Sequence, residues 1–225
     1  MPRRPPPPID STPLVGGAAC VDFVNTTGAR HAHRPRERLR AYADLLTFAR
    51  RITLLTPARL ARLARGAAAR PQAARRALAR AVALRELLYR VLSTAARRGP
   101  LAPPDLQRFN TACARAHAGR ELTWSAGRPR WRWRDSAAPL DALLAPLVRS
   151  AAELLASDRL AALRRCGECD WLFLDSTRNH TRRWCKAQCA DRVRARRYYR
   201  RRRTAAMPTT PRRPGRAASK KEADP

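Results

Sequence analysis

The chain is nearly without lysine and short of acids. Of 225 residues, 48 are basic and 17 acidic, for a formal net charge of +31, yet lysine is confined to Lys186, Lys220 and Lys221. Arginine therefore carries the charge. A surface this one-sided repels itself and draws in polyanions, nucleic acid first and anionic membrane second. Arginine abundant beside alanine also follows from genome-wide codon bias, but such a bias leaves the scarcity of acids unexplained. Histidine is scarce too. His31, His33, His117 and His180 are the whole supply, and none lies beside a matched nucleophile motif. No glycine-rich phosphate loop is present, Gly16-Gly17 being isolated. These absences argue against an enzyme. No apolar run approaches the ~20 residues of a spanning helix. The longest, Leu14 to Val24, is short and holds Asp22, and residues 2–8 lack the apolar stretch of a signal peptide. The expectation is a cytoplasmic protein with no membrane partner. Thiols stay reduced there, so clustered cysteines favour metal over disulfide.

What is present suits one domain of ordinary size with a small appendage. The chain is 44% hydrophobic, enough for a core. Residues 1–9 and 204–225 read as disordered tails, the first dense in proline and the second basic with no apolar period. Between them the pattern is largely helical. Leu39, Tyr42, Ala43, Leu46 and Ala49 form one apolar stripe. Thr56-Pro57 reads as a cap followed by proline at the first helical position. Pro71 opens the longest helix, striped by Ala77, Ala81, Leu84, Leu88, Val91 and Ala95 and stopped by Gly99-Pro100. A further helix begins near Pro104-Asp105. Residues 120–134 alternate with period two about a turn at Gly127, the mark of a β-hairpin. A helix over 140–156 follows, with Pro146 expected to kink it. The fold class is therefore mainly α with a small β-hairpin, an α+β N-terminal domain over 10–158, followed by a small zinc-finger module over 159–203.

That module carries the most specific motif. Cys166-Gly-Glu-Cys169 is followed, after fifteen residues, by Cys185-Lys-Ala-Gln-Cys189. Two short-spaced cysteine pairs are the usual ligand supply for tetrahedral zinc, each chelating from one side. Four thiolates leave no open coordination position, so one Zn2+ here is structural. A segment of this size also cannot build much core unaided. Redox thiol pairs are the weaker reading, and the same four donors can also ligate an iron–sulfur cluster. Trp171-Leu-Phe-Leu174 is β-prone, Asp175 to His180 has turn chemistry, and Arg183-Trp184 leads back to the second pair. Knuckle, hairpin and helix make a treble-clef-like layout. Cys113 and Cys20 sit in apolar stretches and read as core. Asp22 and Asn25 can line a small-molecule pocket or cap a helix, and capping is the preferred reading.

After Cys189 the chain becomes an Arg-rich helix. Arg192, Arg196, Arg200 and Arg203 fall within about 80° of one another at 100° per residue. Guanidinium groups grip phosphate and guanine edges in bidentate fashion. With Arg178, Arg182, Arg183 and Arg197 close in sequence, this stretch is the candidate nucleic-acid surface, DNA favoured over RNA. A ribosome-associated or RNA-binding zinc protein is the alternative, because arginines on a backbone do not by themselves distinguish the two polymers.

These residues resemble a known family. Cys166 to Asp175, Ser176-Thr-Arg-Asn179 and Arg183-Trp184-Cys185 are similar to the CGNR zinc finger. Cys20 to Thr26, Glu37 to Leu46, Arg85 to Arg90 and Arg149 to Leu155 are similar to the ABATE domain that commonly precedes it. The resemblance implies a stress-induced transcriptional regulator with a C-terminal DNA-binding finger. By analogy with regulators, it also implies a small-molecule effector for the helical domain. Two features depart from the family pattern. Its naming motif stands here as Cys189-Ala190-Asp191-Arg192, and three residues separate the second cysteine pair where the family usually has four.

Overall fold

Prolines set three of the helix starts. In the computed structural model, which describes residues 8–30, 35–134 and 139–205, Pro57 and Pro71 open α3 (Pro57–Ala69) and α4 (Pro71–Ala96), and Pro103 opens α5 (Pro103–Ala118). Proline has no N–H to waste at a first helical position, where the N–H is unpaired anyway. Thr56 caps α3, its hydroxyl accepting from the Arg59 N–H at 3.4 Å. Before these come the short α1 (Ala19–Val24) and α2 (Tyr42–Arg51). α2 starts at Tyr42 rather than Leu39. The Asp44 carboxylate ties down the backbone N–H groups of Arg40 and Ala41 at 2.8 Å each, leaving Leu39 buried in the approach segment.

α6 (Leu144–Leu155) follows a 3-10 turn over Pro139–Asp141. Pro146 is its third residue, so it sits in the first turn, where no intrahelical hydrogen bond is lost. The expected kink is therefore absent, because the helix starts later than the apolar pattern implied. The hairpin forms as expected. β3 (Arg120–Ser125) pairs antiparallel with β4 (Arg128–Trp133), and Ala126 and Gly127 both take positive φ in the two-residue turn. A two-residue ladder joins β1 (Thr27–Gly28) to β2 (Arg36–Glu37), and β5 (Leu163–Arg165) pairs with β6 (Leu172–Leu174).

α4 is the axis of the core. Ala77, Ala81, Leu88, Val91 and Leu92 are buried along its length, against Phe23 and Val24 of α1, Phe48 of α2 and Leu147 of α6. Cys20 is wholly buried, and Cys113 packs against the same cluster from α5. Burial pushes the Cys20 thiol up to about 11, so it stays a neutral packing residue. Two features of this core were not expected from the sequence pattern. Ile9, grouped with the N-terminal tail, is 4% exposed and packs into the core, and Leu163 and Leu172 reach it from the cysteine-bearing module. The outer tails, 1–7 and 206–225, and His31 and His33 lie outside the described residues. Among the described residues no helix is long and apolar enough to cross a membrane.

Candidate metal centre and nucleic-acid interface

The cysteine module begins as a tight hairpin. β5 runs into the knuckle Cys166–Cys169, and β6 runs out of it, with Arg165 opposite Leu172 and Leu163 opposite Leu174. The Cys166 N–H donates to the Trp171 carbonyl at 2.8 Å, closing the knuckle. The hairpin therefore surrounds the first cysteine pair. It does not join Trp171–Leu174 to Arg183-Trp184, as the β-prone run suggested. Residues 175–182 are organised instead by the buried Asp175. Its carboxylate accepts from Thr177 N–H at 2.9 Å, Thr177 hydroxyl at 2.6 Å and Arg182 N–H at 2.8 Å. Burial alone would raise this carboxyl, but these hydrogen bonds hold it below the usual carboxylate range.

The second pair straddles the start of α7 (Ala187–Ala205). Cys185 precedes the helix, and Cys189 lies in its first turn, so one helical turn brings the two sulfurs to 3.8 Å. Across the module, the Cys169 and Cys185 sulfurs are 3.4 Å apart, and the Cys185 N–H points at the Cys166 sulfur at 3.4 Å. All four sulfurs lie within 4.8 Å of one another. Tetrahedral zinc with Zn–S of about 2.3 Å needs sulfurs roughly 3.8 Å apart, so the donor set fits one zinc ion. Hydrogen bonds from Cys169 and then Cys185 lower the Cys166 thiol, while hydrogen bonds with Cys166 and then Cys169 raise Cys185. Four thiolates this close repel one another unless a dication sits among them. Bound zinc supplies a structural cross-link between the two knuckles.

Around the sulfurs, Trp171, Phe173, Val15 and Trp184 form a small second core. Arg182 braces it, donating from Nε to the Trp184 carbonyl at 2.8 Å and from Nη2 to the Cys185 carbonyl, with its guanidinium 5.0 Å from the Phe173 ring. Two of the five N–H donors of Arg182, expected from sequence to face nucleic acid, are thus engaged inside the module. Arg38 comes in from the helical part. It is 7% exposed, its guanidinium lies 5.2 Å from the Trp171 ring, and its Nε is the buried side-chain atom without a hydrogen-bond partner among the described residues. Burial and then the neighbouring Arg36 lower the Arg38 guanidinium, with Glu37 and Cys169 opposing them, and a zinc–tetrathiolate centre carries net negative charge that suits a cation at this place.

The N-terminal segment 15–28 stitches this module to the helices. The Leu174 N–H donates to the Gly16 carbonyl at 3.0 Å, and Trp171 Nε1 donates to the Thr27 carbonyl at 2.9 Å. Asn25 does more. Its amide nitrogen donates to the Leu172 carbonyl at 2.7 Å, and its amide oxygen accepts the Leu172 N–H at 2.9 Å, both buried. One side chain thus pairs with β6 as a neighbouring strand residue would. Neither capping nor pocket lining describes its side chain. Asp22 accepts the Gly16 N–H at 2.8 Å, so it too fastens this segment. A Cβ at Gly16 would meet the Asp22 nitrogen at 2.7 Å, and Gly17 has φ +78. The two glycines therefore serve a close backbone turn rather than a phosphate.

Along α7, every side chain from Arg194 to Arg203 is exposed. The helix carries eight arginines against one acid, Asp191. Ala190 has ordinary helical φ, so alanine in place of the family's glycine costs nothing there. Asp191 is the fifth residue of α7 and pairs with Arg194. It therefore lies beyond the first turn and leaves the helix N-terminus without an acid of its own. Arg196 reaches back to Glu168 of the first knuckle. Arg192, Arg197, Arg200 and Arg203 are exposed on the helix, and Arg178 and Arg183 are exposed on the segment leading into it.

Comparison with known proteins agrees with this arrangement. Residues 17–158 match the ABATE family, described as a putative stress-induced transcription regulator, and residues 162–202 match the CGNR zinc finger. No characterised protein matches the chain. The helical body, the four clustered thiols and these two matches lead to one conclusion: the chain belongs to the ABATE family and ends in a CGNR zinc finger.

Proposed function

We propose that this protein is a transcriptional regulator that binds duplex DNA through its zinc finger and α7. The observation that carries the reading is α7 itself, a 19-residue helix with eight arginines, held at one end by Cys185 and Cys189 and exposed from Arg194 to Arg203. At 1.5 Å per residue it is roughly 28 Å long, enough to lie along a major groove. Arg178, Arg183, Arg192, Arg197, Arg200 and Arg203 are the proposed contacts. Cys189 and Val193 mark the side of the helix that turns toward the module at its start, and Arg196 and Arg200 share that side. Arg194 and Arg202 lie on the outer side. Arg196 is already paired with Glu168 and Arg194 with Asp191, and Arg202 lies over the Tyr198 ring, so the contacts are assigned to other arginines of the helix.

The test measures affinity of the full chain for a random duplex DNA and for RNA of the same sequence at several salt concentrations. Arg192→Ala/Arg197→Ala is expected to weaken DNA binding more than Arg194→Ala/Arg202→Ala, which removes the same charge from arginines already engaged within the helix. Removing one phosphate contact should reduce the slope of log affinity against log salt by about 0.9. Equal losses with equal slopes would mean a nonspecific polyanion grip. Tighter binding to RNA than to DNA would move the reading to an RNA partner, and no loss in either variant would remove α7 from the interface.

A further inference from the structure

A cleft of about 970 Å³ opens between α4, α5 and α6, and no residue of the zinc module lines it. It exists because the facing positions are short. Ala83 on α4, Ala112 and Ala116 on α5 and Ala145 on α6 line it where longer side chains would close it. Its floor is apolar, with Leu84, Leu87 and Val148 beneath, the last two largely withdrawn from water. An apolar hollow of this size is costly to leave wet, and ligand sites commonly have this volume and lining.

The walls are strongly one-signed. Six arginines line the cleft against two carboxylates, Glu86 and Asp141. Both acids are already engaged. Asp141 accepts three hydrogen bonds from Arg80, at 2.8, 2.9 and 3.1 Å. Glu86 is held by Arg85 at 2.9 Å and by Arg30. Arg90 is in turn paired with Asp105, and Arg134 with Glu121. Arg108 and Arg115 differ. They stand seven residues apart on α5, hence on one face, and among the described residues neither is hydrogen-bonded to a carboxylate. Two guanidinium groups thus stand on one wall above a hydrocarbon floor.

We propose that this cleft binds an organic carboxylate with an apolar body, an acyl or aryl acid. Its carboxylate sits against Arg108 and Arg115, and its hydrocarbon lies on Leu84, Leu87, Ala116 and Val148. Arginine recognises a carboxylate by parallel hydrogen bonds that a neutral amide cannot supply, while the floor rejects small inorganic anions by giving them nothing to bury. The site is independent of the DNA-binding reading and can fail or hold without it.

Calorimetric titration of the full zinc-loaded chain tests this, using octanoate and 2-naphthoate as acyl and aryl probes and octanamide as the neutral control. One saturable site per chain is expected for at least one of the two acids, with octanamide weaker by about tenfold or more. Ala112→Phe fills the cleft without changing charge and should abolish binding, and Ala145→Leu serves the same purpose if the first variant loses its circular dichroism. Arg108→Gln/Arg115→Gln should weaken the acid and leave octanamide unchanged. No saturable binding of either acid overturns the proposal. So does acid binding that survives both cleft-filling variants, because the ligand would then be held by general surface charge.

Discussion

Asn25 shows how much one side chain can hold. Its amide satisfies both backbone groups of Leu172, and all partners are withdrawn from water. Asn25→Ala orphans a buried donor and a buried acceptor together, each worth about 1–3 kcal/mol. The expected loss is roughly 2–4 kcal/mol in chemical denaturation, and a variant as stable as the parent would refute the pairing. Glu37 supports a pH prediction. Burial raises its carboxyl, but the hydrogen bonds and charge of Arg85, which binds it at 2.6 and 2.7 Å, outweigh that and leave it below the usual carboxylate range. A depressed folded value stabilises the protein above the unfolded value of about 4.3. The gain disappears as pH falls through the folded value. Stability should therefore drop more steeply for the parent than for Glu37→Gln between pH 6 and pH 3.5. Thiolate protonation acts on both proteins alike, so parallel curves would show that the Arg85 contact contributes nothing.

α7 is the element where sequence and structure say most about each other. Its composition was legible, and so was the absence of an apolar stripe. Its start was not. The Cys185-x3-Cys189 spacing is one helical turn, and the helix begins inside that pair at Ala187. The pairing of β6 was also hidden, because the short strand 163–165 carries two arginines and no strand signature. Only the closure of the knuckle brings it opposite Leu172. From Arg194 to Arg203 every side chain of α7 is exposed, and Arg192, Arg196 and Arg200 repel at successive four-residue steps, as do Arg197 and Arg201. Each such pair costs about 0.2–0.5 kcal/mol. Duplex DNA should relieve that repulsion, so the helical signal near 222 nm should rise when DNA is added at low salt. A signal that stays flat through saturation would mean the helix is already fully formed and gains nothing from phosphate.

At the scale of the whole molecule the finger and the helices share one hydrophobic core. Strand alternation in the β5–β6 hairpin sends Leu163 and Leu172 into the helical core, while Phe173 faces the sulfurs. From sequence alone, loss of a zinc ligand would be expected to unfold only the C-terminal module and spare the helices upstream. The shared core changes that expectation. Removing zinc with a chelator, or Cys185→Ser, should lower the thermal midpoint of the helical signal itself, in one transition. Two separate transitions, with the helical one unmoved, would show that the hairpin docks without stabilising its neighbour. None of this coupling could be read from spacing, because Asn25 and Leu172 are 147 residues apart and neither belongs to a motif that names the other. It has a consequence for transplantation. A chimera that carries only the cysteine-bearing segment into a new host leaves behind Val15, Gly16, Asn25 and Thr27, and with them one whole edge of β6. The smallest portable unit is discontinuous, and an exchange of fingers between relatives should succeed only when the opening segment travels with its own finger.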